Sequence, residues 1–263
     1  MKTSFLEKIE DLTVERVRQA RSKISDSEIQ LRARQARHPM DFLERLKSRA
    51  SPRVIAEVKR HSPSLGAIAM DLNPIEVARE FVAAGAFALS VLTEPHYFAG
   101  SIEDLAVIRG EFPDFPILMK DFVVDPYQLY LARVAGADAI LLIAALLGKR
   151  LGELIAQTQA VGLTPLVEVH TSQEFDEAVG CGAKLIGVNN RNLHTLEVDL
   201  TTSFSLVAKH QPDLTLIAES GLKTADEIHK LGKAGFDGFL IGSSLTQGKR
   251  PGASLREILR AAP

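Results

Sequence analysis

The sequence predicts a (βα)8 TIM barrel with an N-terminal helical extension, an α/β fold. Three observations carry that prediction. After Pro52 the chain falls into eight short aliphatic and β-branched runs with room for one helix between each pair. A glycine recurs just ahead of every second run, and several runs end in charged or amide residues rather than apolar ones. Eight is the number of parallel strands at which such a sheet closes on itself.

The first fifty residues read differently. Phe5, Ile9 and Leu12 recur at helical spacing, and Ser4 with Glu7 has the form of a capping box, as does Ser25 with Glu28. Pro39 interrupts the pattern, and Phe42, Leu43 and Leu46 resume it as a short third helix. The expectation is one barrel domain over 1–263, of which 1–50 is a helical extension packed on it. Arg32, Arg34, Arg37, Arg45, Lys47 and Arg49 alternate with other residues as a solvated helix face does, so this basic stretch is not read as a nucleic-acid surface.

The expected strands are Val54–Lys59, Ala88–Glu94, Ile117–Asp121, Ala139–Leu146, Pro165–His170, Leu185–Arg191, Leu214–Ser220 and Gly238–Ser244. The segments AAGAFA (83–88), VAGADA (134–139), GCGAKL (180–185) and KAGFDG (233–238) form an internal repeat in which glycine suits the left-handed residue that ends a helix. An open dinucleotide-binding sheet is disfavoured, because no GxGxxG follows the first run.

Composition bounds the partners. A net charge of −2 gives no general attraction to nucleic acid or an anionic membrane, and the longest apolar run, 139–147, is too short to span a bilayer and reads as a buried strand. One cysteine, Cys181, forms no internal disulfide, is expected to be a small buried apolar residue, and fits a reducing compartment. The amino terminus has no secretory signal, so the expected location is cytoplasmic. The expected partner is a small phosphorylated molecule, with no nucleic acid, no membrane and no cofactor, and the expected state is a monomer or weak homo-oligomer.

In a (βα)8 barrel the site lies at the carboxyl ends of the strands. Side chains alternate along a strand, so an inward Ile55 turns Glu57 and Lys59 inward. The same parity pairs Leu118 with Lys120 and Leu166 with Glu168, and places Gly187, Asn189 and Arg191 on one face. Three acids (Glu57, Glu168, Glu219) and three cations (Lys59, Lys120, Arg191) then converge on one mouth. Such a set can hold an anionic substrate and move protons; its bland alternative is a ring of structural salt bridges. Ser220–Gly221 after the seventh run and Gly242–Ser243–Ser244 after the eighth stand where barrels commonly bind phosphate. A metal site on Glu168, His170 and Glu57 competes, but no second histidine stands at ligand spacing.

The runs IAEVKRHSPS (55–64), ALSVLTEPHYFAGS (88–101), ILMKDFVVDPYQ (117–128), PLVEVH (165–170), IGVNNRNL (186–193), IAESGL (217–222) and FLIGSSL (239–245) resemble successive strand ends of the indole-3-glycerol phosphate synthase family. The resemblance implies a carboxy-lyase of tryptophan biosynthesis. Its reaction turns 1-(2-carboxyphenylamino)-1-deoxyribulose 5-phosphate into indole-3-glycerol phosphate, carbon dioxide and water, without cofactor or metal. It implies Lys120 as general acid at the substrate carbonyl, Glu168 in proton transfer during dehydration, and Lys59 as a second substrate-contacting lysine. Glu57 and Asn189 would position these groups, with Arg191 and Glu219 as further polar members. Ser62, Gly221, Gly242 and Ser243 would surround phosphate, joining Ser220 from the loop reading above, and Pro63, Phe98 and Phe122 would face the aromatic ring. Spacing leaves open which lysine acts in which step, and a lysine set near other cations is expected to have a lowered pKa.

Two positions depart from the family pattern: Leu65, where many relatives carry a basic residue, and Leu131, where an acidic one is common. Leu131 is expected on the third barrel helix as a surface or interface residue. Other phosphosugar isomerases, a Schiff-base aldolase and a catalytically silent barrel remain as alternatives at this level.

Overall fold

A computed structural model describes residues 5–48, 52–63, 66–67, 70, 72–193, 195–246 and 250–260; Ser4, Arg49, Leu65 and His194 lie outside the described residues. Eight parallel strands form the ring: β1 (Val54–Val58), β2 (Ala88–Leu92), β3 (Ile117–Lys120), β4 (Ala139–Ile143), β5 (Thr164–Val169), β6 (Leu185–Asn189), β7 (Thr215–Glu219) and β8 (Gly238–Ile241). Each pairs with its neighbour in sequence, and β1 pairs with both β2 and β8, which closes the barrel.

Three helices precede the ring: α1 (Phe5–Lys23), α2 (Asp26–Gln35) and α3 (Phe42–Lys47). One helix then follows each strand: α4 (Pro74–Ala84), α5 (Ile102–Glu111), α6 (Tyr127–Ala135), α7 (Leu151–Ala160), α8 (Ser172–Gly180), α9 (Thr201–Leu206), α10 (Ala225–Ala234) and α11 (Pro251–Arg260). Side chains of Asn73, Ser101, Thr171 and Thr224 cap the first turns of α4, α5, α8 and α10, satisfying amides that a helix start leaves free. At the other ends, the repeat glycines Gly85, Gly136, Gly182 and Gly235 all have positive φ, where a side chain would be strained.

Alternation divides the core in two. Val54, Ala56 and Val58 of β1 face the helices in one apolar cluster, whereas Ile55 joins Leu118, Leu141, Leu166, Ile217 and Leu240 in the other, which fills the ring. Burial of each such side chain contributes roughly 1.5–3 kcal/mol. Above the inner layer built from Ile55, Leu118, Leu166 and Ile217, the next residues of the same parity on β1, β3, β5 and β7 are Glu57, Lys120, Glu168 and Glu219. Four side chains from alternate strands make one barrel layer, and here that layer is charged.

The strands end earlier than the apolar runs do. In 139–147, β4 stops at Ile143 and Ala144–Leu147 turn into a short helix, because alanine and leucine favour helix once the β-branched residues end. In 238–244, β8 stops at Ile241 and Ser243–Thr246 are helical. Cys181 is exposed, not buried: it caps the carboxyl end of α8, outside the layer that α8 buries.

The extension is tied to the third and fourth βα units. Arg16 clamps Asp121 through two hydrogen bonds of 2.9 and 2.6 Å, and Arg21 clamps Asp125 at 2.9 and 2.7 Å. Arg37 is not simply part of a solvated face, since it reaches the fully buried Asp138, which also accepts from Arg109 and from the backbone of Met40 and Ile117. Leu131 lies on α6 and is partly buried against Val17, Ile29 and Tyr127, so its apolar character serves the seat of the extension. Among the described residues no helix is long and apolar enough to cross a membrane.

Candidate active site

The charged layer opens into a cavity of about 710 Å³ at the carboxyl end of the ring. Glu57, Lys59, Lys120, Glu168, Asn189, Arg191 and Glu219 line it, as do Ser62, Pro63, Phe98, Phe122, Ser220, Gly221, Gly242 and Ser243. All the site residues expected from the sequence are therefore brought to one space, although they come from seven of the eight βα units.

Strand parity explains the convergence. Lys120 Nζ stands 3.4 Å from Glu168 Oε2 and 3.5 Å from Glu219 Oε2, so the ammonium bridges β3 to β5 and β7 across the ring. Lys59 Nζ instead binds Glu57 Oε1 at 2.5 Å. Asn189 Oδ1 accepts the backbone N–H of Arg191 at 2.9 Å, and the Arg191 guanidinium donates to the Leu196 carbonyl at 2.7 Å, which fixes the turn after β6.

Two glycines make room for the acids. A Cβ on Gly187 would overlap Glu219 Oε1, and one on Gly242 would overlap Glu57 Oε1. After β7, Ser220 and Gly221 both adopt left-handed φ, +63° and +82°, and a non-glycine residue held there is strained in the manner of functional turns.

The electrostatics separate the groups. Burial works against the Lys120 charge, but Glu168, Glu219 and Glu57 outweigh it and hold its pKa above the ordinary lysine range. The expectation of a lowered lysine pKa is thus overturned, because acids rather than cations surround this ammonium and Lys59 is already paired with Glu57. Burial pushes Glu219 up to about 8; Lys120 opposes this and the charges of Glu168 and Glu57 add to it. For Glu168 burial is outweighed by Lys120, His170 and the Asn189 amide, and its pKa lies below the ordinary carboxylate value. Near neutral pH Lys120 is therefore an ammonium beside Glu168 as a carboxylate and Glu219 as an acid that tends to keep its proton, an arrangement suited to moving protons.

The bland and metal alternatives fare poorly. Glu168 Oε1 and Glu219 Oε1 are buried without a hydrogen-bond partner among the described residues, whereas a purely structural ring would satisfy its acids. Lys120 occupies the space beside Glu168 that a cation would need, and among the described residues no three His, Cys, Asp or Glu side chains stand at metal-holding geometry.

Several lining residues were not foreseen. Phe5 of α1 reaches the cavity and meets Tyr97 and Phe122 edge-on at 5.0 and 6.1 Å between ring centres. Leu193, Leu196, Val198 and Leu200, in the loop after β6, supply another apolar wall. Phe5 did signal a helix face, but not which surface that face covers.

The sequence profile of the indole-3-glycerol phosphate synthase family matches residues 6–258. The chain belongs to that family. Among indole-3-glycerol phosphate synthases, that of Dehalococcoides mccartyi strain CBDB1 is 44% identical over 224 residues, covering 84% of this chain and 86% of its own. The indole-3-glycerol phosphate synthase of Carboxydothermus hydrogenoformans is 41% identical over 263 residues, covering 97% and 99%. Among solved structures, a 3-hexulose-6-phosphate synthase shares the fold with a TM-score of 0.65 at 14% identity, covering 80% of this chain and 100% of that one. The tryptophan synthase α subunit of Legionella pneumophila does so with a TM-score of 0.60 at 14% identity, covering 84% and 96%. Those two likenesses concern the barrel; the family membership rests on the profile and the sequence relatives.

Proposed function

We propose that this protein closes the indole ring, converting 1-(2-carboxyphenylamino)-1-deoxyribulose 5-phosphate to indole-3-glycerol phosphate with release of carbon dioxide and water. The observation that carries this reading is Lys120, a half-buried ammonium held between Glu168 and Glu219 in the cavity that Phe98 and Phe122 also line. Its raised pKa keeps it protonated, as an acid at the substrate carbonyl must be. The ring carbon attacks that carbonyl, the carboxyl group leaves as carbon dioxide to restore aromaticity, and loss of water completes the indole.

Glu168, held as a carboxylate, accepts the proton released in dehydration, and Lys59, positioned by Glu57, faces the substrate hydroxyls with Asn189. Arg191 and Glu219 complete the polar wall. Ser62, Ser220, Gly221, Gly242 and Ser243 surround the phosphate, while Pro63, Phe98 and Phe122 face the anthranilate ring. A Schiff-base aldolase is disfavoured, since its lysine needs a lowered pKa to be a free amine. The chain acts as one barrel with residues 1–50 as its extension, as a cytoplasmic monomer or weak homo-oligomer on this small phosphorylated substrate; its single cysteine agrees with a reducing compartment.

Indole fluorescence from purified protein and the anthranilate substrate tests the reading. Lys120→Ala is expected to abolish turnover while phosphate-dependent binding persists. A folded parent protein giving no fluorescence rejects the reading.

A further inference from the structure

Behind Glu168 stands a second set of ionisable groups that the reaction as described does not use. Glu168 turns Oε2 toward Lys120, and its Oε1 lies 3.6 Å from Nε2 of His170, two residues along the chain. On the other side, His170 Nδ1 lies 3.5 Å from Glu174 Oε2, and that same oxygen accepts the backbone N–H of His170 at 2.7 Å. Glu174 is fixed in turn by the first turn of α8, where its own N–H donates to the Thr171 hydroxyl. Side-chain exposure rises along the row, from 2% at Glu168 to 13% at His170 and 18% at Glu174. Glu168 Oε1 and His170 Nε2 are both buried, and neither has a hydrogen-bond partner among the described residues. A shift of well under 1 Å would join them.

We propose that His170, clamped by Glu174, is a positioning residue that donates from Nε2 to Glu168 Oε1 as substrate binds and so aims the carboxylate at its proton. The inference rests on Glu168 being the proton acceptor proposed above. The imidazolium is the form that serves both neighbours, because only it carries a hydrogen on each nitrogen. Loss of one proton sets a lone pair against a carboxylate oxygen on one side or the other.

The groups facing His170 are Glu168 from β5, Glu174 from α8 and Glu219 from β7, with the Lys120 ammonium beyond Glu168. Lys209 is engaged with Asp176 and the Ser172 carbonyl. Burial lowers the His170 pKa, but Glu174, Glu168 and Glu219 outweigh it and raise it above the ordinary value. As pH climbs through that raised pKa one of the two N–H donors is lost, the imidazole no longer serves Glu168 and Glu174 together, and kcat is expected to fall.

The test combines kinetics with an NMR titration of His170 in the intact protein. His170→Ala is expected to lower kcat at least about tenfold while KM stays within about threefold, and to remove the limb of the pH profile that follows the His170 titration in the parent. Glu174→Gln, which can still accept the backbone N–H, is expected to lower the His170 pKa by about one unit and move that limb with it. If His170→Ala does not fold, His170→Gln decides, because it keeps a neutral donor and should lose the limb. Parent kcat and an unaltered profile in these variants, or a parent His170 titrating at or below the ordinary value, overturns the role. Glu168→Gln turning over at the parent rate overturns the proton-acceptor reading and this role with it, whereas parent kcat in His170→Ala beside an inactive Glu168→Gln overturns this role alone, so the two failures are distinguishable.

Discussion

Glu219 Oε1 occupies the space that a side chain on Gly187 would need, so a backbone atom of β6 sets where the acid of β7 can lie. The buried acid lies 3.5 Å from Lys120 through one oxygen and against the Gly187 backbone through the other. Gly187→Ala is expected to push Glu219 against Lys120 and lower kcat about a hundredfold, the order of cost for a displacement near 1 Å at a reacting centre. Circular dichroism should show a folded barrel beside that loss; a variant with parent kcat would remove the steric argument.

The same carboxylate gives the protein a pH-dependent stability. Its folded pKa, about 8, exceeds the ordinary 4.5, so between those values the folded state holds a proton that the unfolded chain releases. Stability is therefore greatest at the acid end of this window and falls as pH rises toward 8, by at most about 1.4 kcal/mol for each unit. Urea unfolding at pH 5.5 and 8.5 should show a smaller difference for Glu219→Gln than for the parent, and equal differences would contradict the assignment.

Phe5 brings α1 of the extension to the cavity wall. Removing its ring in Phe5→Ala takes away the edge-on contacts with Tyr97 and Phe122 at the cavity wall. The expected result is a KM raised by up to about tenfold with kcat nearly unchanged, the signature of lost uniform binding. A fall in kcat with unchanged KM would show that α1 acts on the chemistry instead.

At the opposite end of the ring, Asp138 is fully buried and joins Arg109, Arg37 and two backbone amides. Asp138→Ala leaves the Arg109 guanidinium buried without its carboxylate and is expected to cost about 3–5 kcal/mol. Chemical denaturation measures that loss. The kcat of the remaining folded enzyme should match the parent, because this node lies at the strand starts.

What the sequence made legible follows from period and what it concealed follows from docking. Glu57, Lys120, Glu168 and Glu219 each stand two residues beyond an inward aliphatic side chain, so alternation alone aims them at the mouth once the ring is assumed. The charge state of Lys120 was not legible, because it depends on which strand ends face one another across the ring. Phe5 and the loop residues Leu193, Leu196, Val198 and Leu200 were equally hidden, since their contact with the cavity arises from helices and loops laid over the rim. Cys181 misled for a local reason: an apolar residue between two glycines belongs to the helix-ending turn and not to the face that α8 buries.

The charged quartet of three acids and one lysine takes the place that valine, isoleucine or leucine usually fill in such rings. Beneath it a complete aliphatic tier already binds the staves together, so cohesion does not depend on the acids. Neutral, well-packed substitutes at Glu57, Lys120, Glu168 and Glu219 together should yield a hardier but inert protein. Robustness and turnover are in that sense set by different storeys of one building, and an engineer seeking heat resistance should work on the lower one.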